Sequence, residues 1–235
     1  MFRMTSTVLS ERSLSRKNRG RKFLSVAIVL TSTAALSSCT SVMRAISKSN
    51  VSSEELRSVL LQSVDVPGWS IDPAVESSLS DSALAKLEDQ VCDIDAAEEG
   101  ATYTSASGDL DASSGAEPVC GTGAASREAT ILGEDTYRQV YQETIVAEAA
   151  TENFVVSDFS YTRVDLGLGE DTLVYLVTAQ LTGPEFSVSY EAYEVSIFSD
   201  RLAATVVMRG YDRVVPQDEL LRLSNIVKSR VTALG

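Results

Sequence analysis

The sequence predicts an α+β domain, an antiparallel sheet with helices packed on one face, set behind a removable N-terminal leader. Three observations carry this. Between Phe159 and Arg209 strand-like runs follow one another across turns short enough for hairpins. Pro216 to Leu234 reads as an amphipathic helix, with Asp218 and Glu219 in its first turn and Leu220, Leu223, Val227 and Val231 along one side. A basic cluster, an apolar run and a patch of small residues precede everything else. Hairpin-linked strands flanked by helices, rather than strict alternation of strand and helix, favour α+β over a parallel α/β sheet.

The leader comes first in the chain. Arg12, Arg16, Lys17, Arg19, Arg21 and Lys22 are followed by the apolar stretch from Phe23 to Leu36. At about 14 residues that stretch is short for a bilayer span and suits the apolar region of a secretory signal. Leu36-Ser37-Ser38-Cys39 closes it. The boundaries expected are a signal peptide over 1–38, a modified Cys39 with a polar tether over 39–50, and one extracytoplasmic α+β domain over 51–235.

Within that domain, Val51-Ser-Ser-Glu-Glu-Leu opens a helix that Ser52 or Ser53 can cap, with Glu54 and Glu55 at the positive end of its dipole. Leu56, Val59 and Leu60 give it an apolar face, and Pro67-Gly68 turns the chain. A second helix is expected over 79–91, on Leu84, Leu87 and Val91. Residues 93–123 are acidic, small and poor in bulky apolar groups, so they read as a flexible acidic loop. Glu134 to Tyr141 reads as a strand and Thr144 to Phe154 as a helix with Ile145, Ala149 and Phe154 on one side. Strands follow at Phe159–Val164, Leu173–Leu181, Phe186–Phe198 and Leu202–Arg209. The last two form a hairpin across Ser199-Asp200-Arg201, and the turn Asp165–Asp171 separates the first two.

Composition limits the chemistry. In 235 residues, 44% are hydrophobic, 23% charged and only 6% aromatic, ordinary for a packed domain with an aliphatic core. There is no histidine, which removes the commonest general base near neutral pH and the commonest metal ligand. Histidine-dependent triads and zinc motifs are therefore excluded, and no Walker A loop is present. Seven of the 20 Lys/Arg but only one of the 33 acids fall in 1–38, so residues 39–235 carry a formal charge of −19. A body that acidic is repelled by nucleic acid and by anionic headgroups.

Leu36–Cys39 resembles the lipobox of bacterial lipoproteins, in which a diacylglycerol is attached to the cysteine before cleavage. The resemblance implies lipidation at Cys39, a palmitate-type anchor and the extracytoplasmic side of the cell membrane as the address; acyl chains in pairs hold far better than one. Cys92 and Cys120 then remain. Outside the cytoplasm a disulfide between them is expected, ahead of free thiols or a redox pair, since no C-x-x-C spacing exists. It would close a loop of about 29 residues, a stabilisation of roughly 3–4 kcal/mol.

Further along, Leu60-Leu-Gln-Ser-Val-Asp-Val-Pro-Gly-Trp69, the turn Asp165–Asp171, the paired strands to Gly210 and the final helix resemble actinobacterial cell-envelope lipoproteins. These are similar to PknH-type extracellular sensor domains and to small PsbP-like lipoproteins. The resemblance implies a non-catalytic ligand-binding or sensor-like domain, with no site residue carried over. The sensor domain of that kinase type has two disulfides, whereas this mature chain can form one.

The remaining chemical readings are weak. Asp93-x-Asp95 with Glu98 and Glu99 invites calcium, but Ala97 and Glu98 break the EF-hand pattern. Gly167-Leu-Gly169 is a fragment of a dinucleotide fingerprint without its third glycine and reads better as a turn. Trp69 and the tyrosines at 137, 141, 161, 175, 190 and 193 read as core or rim packing ahead of a pocket lining. No catalytic residue, metal or cofactor is expected. The expected partners are the membrane through the anchor, and a small apolar ligand or an envelope protein, with no nucleic acid. Two alternatives stand behind the binding domain: a protein-interaction lipoprotein using the acidic loop, and a histidine-free hydrolase.

Overall fold

A computed structural model of the chain describes residues 51–72, 99–119 and 121–235. The leader, Cys39, the tether, the helix expected over 79–91, and both Cys92 and Cys120 lie outside the described residues.

The described chain runs α1 (Ser53–Val59), β1 (Ser70–Asp72), β2 (Glu99–Thr104), β3 (Leu110–Pro118), α2 (Gly123–Leu132) and α3 (Glu134–Thr151). It continues β4 (Val155–Val164), β5 (Thr172–Thr182), β6 (Ser187–Phe198), β7 (Leu202–Tyr211) and α4 (Gln217–Leu234). The strands form one seven-stranded sheet in the order β1-β2-β3-β7-β6-β5-β4, antiparallel throughout. Two meanders, β1–β3 and β4–β7, therefore meet where β3 pairs with β7, and α2 with α3 carries the chain from the middle of the sheet to its far edge.

Helices cover both faces, which corrects the expectation of one. Strand alternation explains why. On β6 and β7, Tyr193, Val195, Ile197, Leu202, Ala204, Val206 and Met208 belong to one core with Leu56 and Val59 of α1 and Leu220, Leu223, Val227 and Val231 of α4. The intervening residues Tyr190, Ala192, Phe198 and Ala203 point the other way. They pack with Tyr175 and Val177 beneath Tyr137, Tyr141, Ile145 and Ala149 of α3.

α3 spans the whole of 134–151, so Glu134–Tyr141 is helix, not strand. Its buried residues Tyr137, Tyr141, Ile145 and Ala149 recur every fourth position, a helical stripe. Glu134 and Asp135 occupy its first turn, where carboxylates favour a helix.

The flexible loop expected over 93–123 is corrected as well. Residues 99–118 form the β2–β3 hairpin inside the sheet, paired from Glu99↔Ala116 to Thr104↔Asp111. Small residues are what this position needs: Ala112 and Ala116 are buried in the α1/α4 core, and bulk there would push α1 away. Polar ties replace bulk. The backbone N–H of Leu61 donates to Ser114 Oγ at 2.8 Å, and the Tyr103 hydroxyl donates to the Leu61 carbonyl at 2.9 Å.

Side chains tie α1 and the segment after it to α4 and the β6–β7 turn. Arg230 of α4 grips the Asp65 carboxylate through two bonds, 2.8 and 2.9 Å, and donates to the Leu60 carbonyl at 2.6 Å. Arg201, in the β6–β7 turn, reaches Glu55 of α1 at 2.9 Å and the Leu234 carbonyl at 2.8 Å. Ser52, not Ser53, caps α1, forming a capping box with Glu55.

Candidate functional site

The turn from β4 to β5 is built as one wall of a cleft. Asp165 Oδ1 accepts the Gly167 N–H at 2.8 Å. Gly167 and Gly169 follow with φ of 71° and 101°, backbone that favours glycine. At Gly169 a Cβ would also stand 3.0 Å from Lys228 Nζ. That ammonium, from α4, donates to the Leu168 carbonyl at 2.5 Å and pairs with the Asp171 carboxylate. Leu166 and Leu168 pack partly buried against the α1/α4 core. One lysine and two leucines thus fix the turn to the helical layer behind it. The Gly-Leu-Gly unit is the pinned wall of a cleft, with no helix following it.

The facing wall comes from α2 and from the face of the sheet beneath α3. Between them lies a cleft of about 560 Å³, lined by Arg127 of α2, Arg163 and Val164 of β4, the 165–170 turn, and Thr172 to Val174 of β5. That volume is in the range of small-molecule sites. Arg163 sits opposite Tyr175 in the β4–β5 register. Its guanidinium lies 3.6 Å from Glu134, a loose and half-exposed pairing. Arg127 enters no ion pair among the described residues, and its buried Nε has no hydrogen-bond partner.

Tyr175 is 1% exposed, and its hydroxyl has no hydrogen-bond partner among the described residues. Burial and then the Glu134 carboxylate push its pKa up to about 12, against the opposing pull of Arg163 and Arg127. These residues share one electrostatic neighbourhood: Tyr175 feels both guanidiniums that line the cleft.

Deeper under α3 lies a tyrosine cluster. Tyr161 stacks on Tyr175 at 4.7 Å, Tyr141 tilts against Tyr161 at 5.8 Å, and the hydroxyls of Tyr141 and Tyr190 meet at 3.2 Å. Glu194 and Arg209 are buried on the same sheet face, 2% and 1% exposed. Burial acts against the Arg209 charge, but the oxygens of Tyr190, Tyr141, Tyr211 and Asp111 hold its pKa above the ordinary value. Burial raises Tyr141 and Tyr161 well above theirs. Phenols shifted that way stay protonated near neutral pH and do not serve as bases. The cluster is core architecture.

A second cleft, about 460 Å³, opens beside the β4 bulge. Several of its polar groups are already used. Asp212 accepts the Ser189 N–H at 2.8 Å, Glu191 accepts the Val215 N–H at 2.8 Å, and Arg213 pairs with Asp109 at 2.9 Å. In the Arg127 cleft, by contrast, the buried Arg127 Nε has no hydrogen-bond partner among the described residues.

The structure sorts the aromatics picked out in the sequence. Tyr137, Tyr141, Tyr161, Tyr175 and Tyr190 converge under α3, as core packing. Tyr193 lies on the opposite face, its hydroxyl accepting from Gln217 at 2.9 Å, and Trp69 packs at the rim of the same core. Asp93, Asp95 and Glu98 lie outside the described residues, and Glu99 begins β2. Among the described residues no three acids or cysteines are arranged to hold a metal ion. No described helix is long and apolar enough to cross a membrane.

Arg127 and Arg163 were missed in the sequence. They sit 36 positions apart without a motif, and only the sheet register and the α2 packing bring them to one cleft. The Asp165–Asp171 turn was legible as a turn but not as a wall. Comparison of the chain with protein-family models, with curated proteins and with solved structures finds no match.

Proposed function

We propose that this chain is a membrane-anchored, extracytoplasmic lipoprotein whose α+β domain is a non-catalytic, sensor-like binding module of the cell envelope. The observation that carries the binding reading is the cleft of about 560 Å³ between a pinned glycine turn and Arg127, whose buried Nε has no protein partner. Arg127 as a whole is half-buried, and its buried Nε–H is stabilised by any ligand that supplies an acceptor. The address rests on the basic and apolar leader ending in Leu36-Ser-Ser-Cys39.

Two experiments test the two halves. Changing Cys39→Ser is expected to abolish incorporation of labelled palmitate and to move the protein from the membrane fraction to the soluble one. Persistence in the membrane fraction without label would overturn the lipid anchor. For the cleft, the full chain extracted gently from its own membranes is expected to carry an extra mass that leaves on denaturation. A mass accounted for by protein, lipid anchor and one disulfide alone would count against a small-molecule role.

A further inference from the structure

Resting on the binding reading above, we infer that the cleft takes a ligand through a singly charged oxyanion, a carboxylate or a phosphodiester, held between Arg127 and Arg163. Four features support this together. Among the described residues Arg127 has no ion-pair partner, and Arg163 pairs loosely with Glu134 at 3.6 Å. Both guanidiniums line one cleft although they come from different elements, α2 and β4. The Tyr175 hydroxyl, buried and unpartnered, lies in register beside Arg163 and within electrostatic reach of both arginines. The opposite wall is rigid, pinned by Lys228 through Leu168 and Asp171, so little ordering remains to be done when a ligand enters. Planar guanidinium forks match paired oxygens, which is why arginine rather than lysine suits this task.

The charge of the ligand follows from the remaining residues. Asp165 and Glu170 also line the cleft, both exposed, and Glu134 stands beside Arg163. Three carboxylates around two guanidiniums disfavour an ion carrying two or more negative charges, which would meet net repulsion on approach. A monoanion pairs with the arginines and meets a smaller repulsion. A positively charged group elsewhere on the same ligand would find Asp165 and Glu170 at the mouth.

The test is a titration of the isotope-labelled full chain, followed by the arginine Nε–Hε resonances. The probes are N-acetylalanine for the carboxylate, dimethyl phosphate for the phosphodiester and inorganic phosphate as the more highly charged control. Saturable shifts at Arg127 and Arg163 are expected with one of the first two probes, and weaker binding with inorganic phosphate. Whichever monoanion binds more tightly identifies the source. Arg127→Ala and Arg127→Lys should each weaken that binding about tenfold or more. Arg213→Ala, in the other cleft, should leave it unchanged. Non-saturating shifts spread over all arginines, or binding indifferent to Arg127→Ala, would overturn the inference. If the chain carries a co-purifying ligand that Arg127→Ala does not release, the oxyanion assignment fails and the binding role stands. If neither ligand nor probe binds, both fail.

Discussion

Gly210 shows how strictly single positions are constrained. A Cβ there would lie 2.1 Å from the Arg213 carbonyl oxygen, backbone that cannot swing aside, just where β7 ends and the chain turns toward α4. Gly210→Ala is expected to destabilise by about 2–4 kcal/mol, read as a lower urea midpoint at unchanged slope. Asp65 makes a different kind of prediction. Burial alone would raise its pKa, but the paired bonds from Arg230 and the Gln62 N–H outweigh burial and lower it. A carboxylate with a folded pKa below its unfolded value stabilises fully above the unfolded value, near pH 4, and loses that contribution as pH falls through the folded one. Asp65→Asn should therefore cost about 1–3 kcal/mol at neutral pH and flatten part of the stability loss below about pH 4. An unchanged acid limb in the variant, followed by circular dichroism, would show that other carboxylates carry it. Glu55 and Asp109 are also lowered, chiefly by Ser52 and by Ser107 respectively, so the limb will not vanish altogether.

At the scale of elements, α4 illustrates what sequence periodicity conveys. Its buried apolar residues, Leu220, Leu223, Val227 and Val231, are those the spacing picks out, because one face meets the sheet and the rest meets water. Truncation at Leu223 to Ala should cost about 2–5 kcal/mol, whereas Leu132→Ala, at a site 78% exposed, should stay within about 0.5 kcal/mol. Calorimetry on both variants checks the contrast. The strands from β4 to β7 were equally legible, since each alternates or runs apolar between turn residues. Two elements were not. At α3, Thr136, Tyr137, Val140 and Tyr141 are strand-favouring residue types although their spacing of three and four is helical, and the full run to Ala149 makes the spacing of four plain. At β2–β3 the rule linking burial to bulky side chains misleads: Ala112, Ser114 and Ala116 are buried because they are small enough to lie under α1 and beside β7, and Ser113 is buried on the opposite face. Their composition is that of a loop, and their position is near the centre of a sheet.

For the whole molecule, the two helical layers explain why the sheet is apolar on both faces around β6 and β7, a pattern that hairpin strands seldom carry when one face is solvated. That continuous apolarity in β5 and β7 was the available sign that a second layer of helix existed. The cleft arises at this scale only. It needs α2 on one side, the β4–β5 turn on the other and α4 behind the turn, so no local window of sequence contains it. The acidic body also has a consequence. With −19 formal charges over 39–235, approach of an anionic ligand should be slow at low ionic strength and faster as salt screens the surface, while dissociation from the arginines also quickens.

The most direct test compares native mass spectra of the full chain, taken from its own membranes, for the wild type and for Arg163→Trp, whose indole would fill the cleft from an exposed position on β4. A dissociable extra mass is expected on the wild type and none on the variant, at equal thermal stability. An identical extra mass on both, or none on either, would contradict the cleft as a binding site.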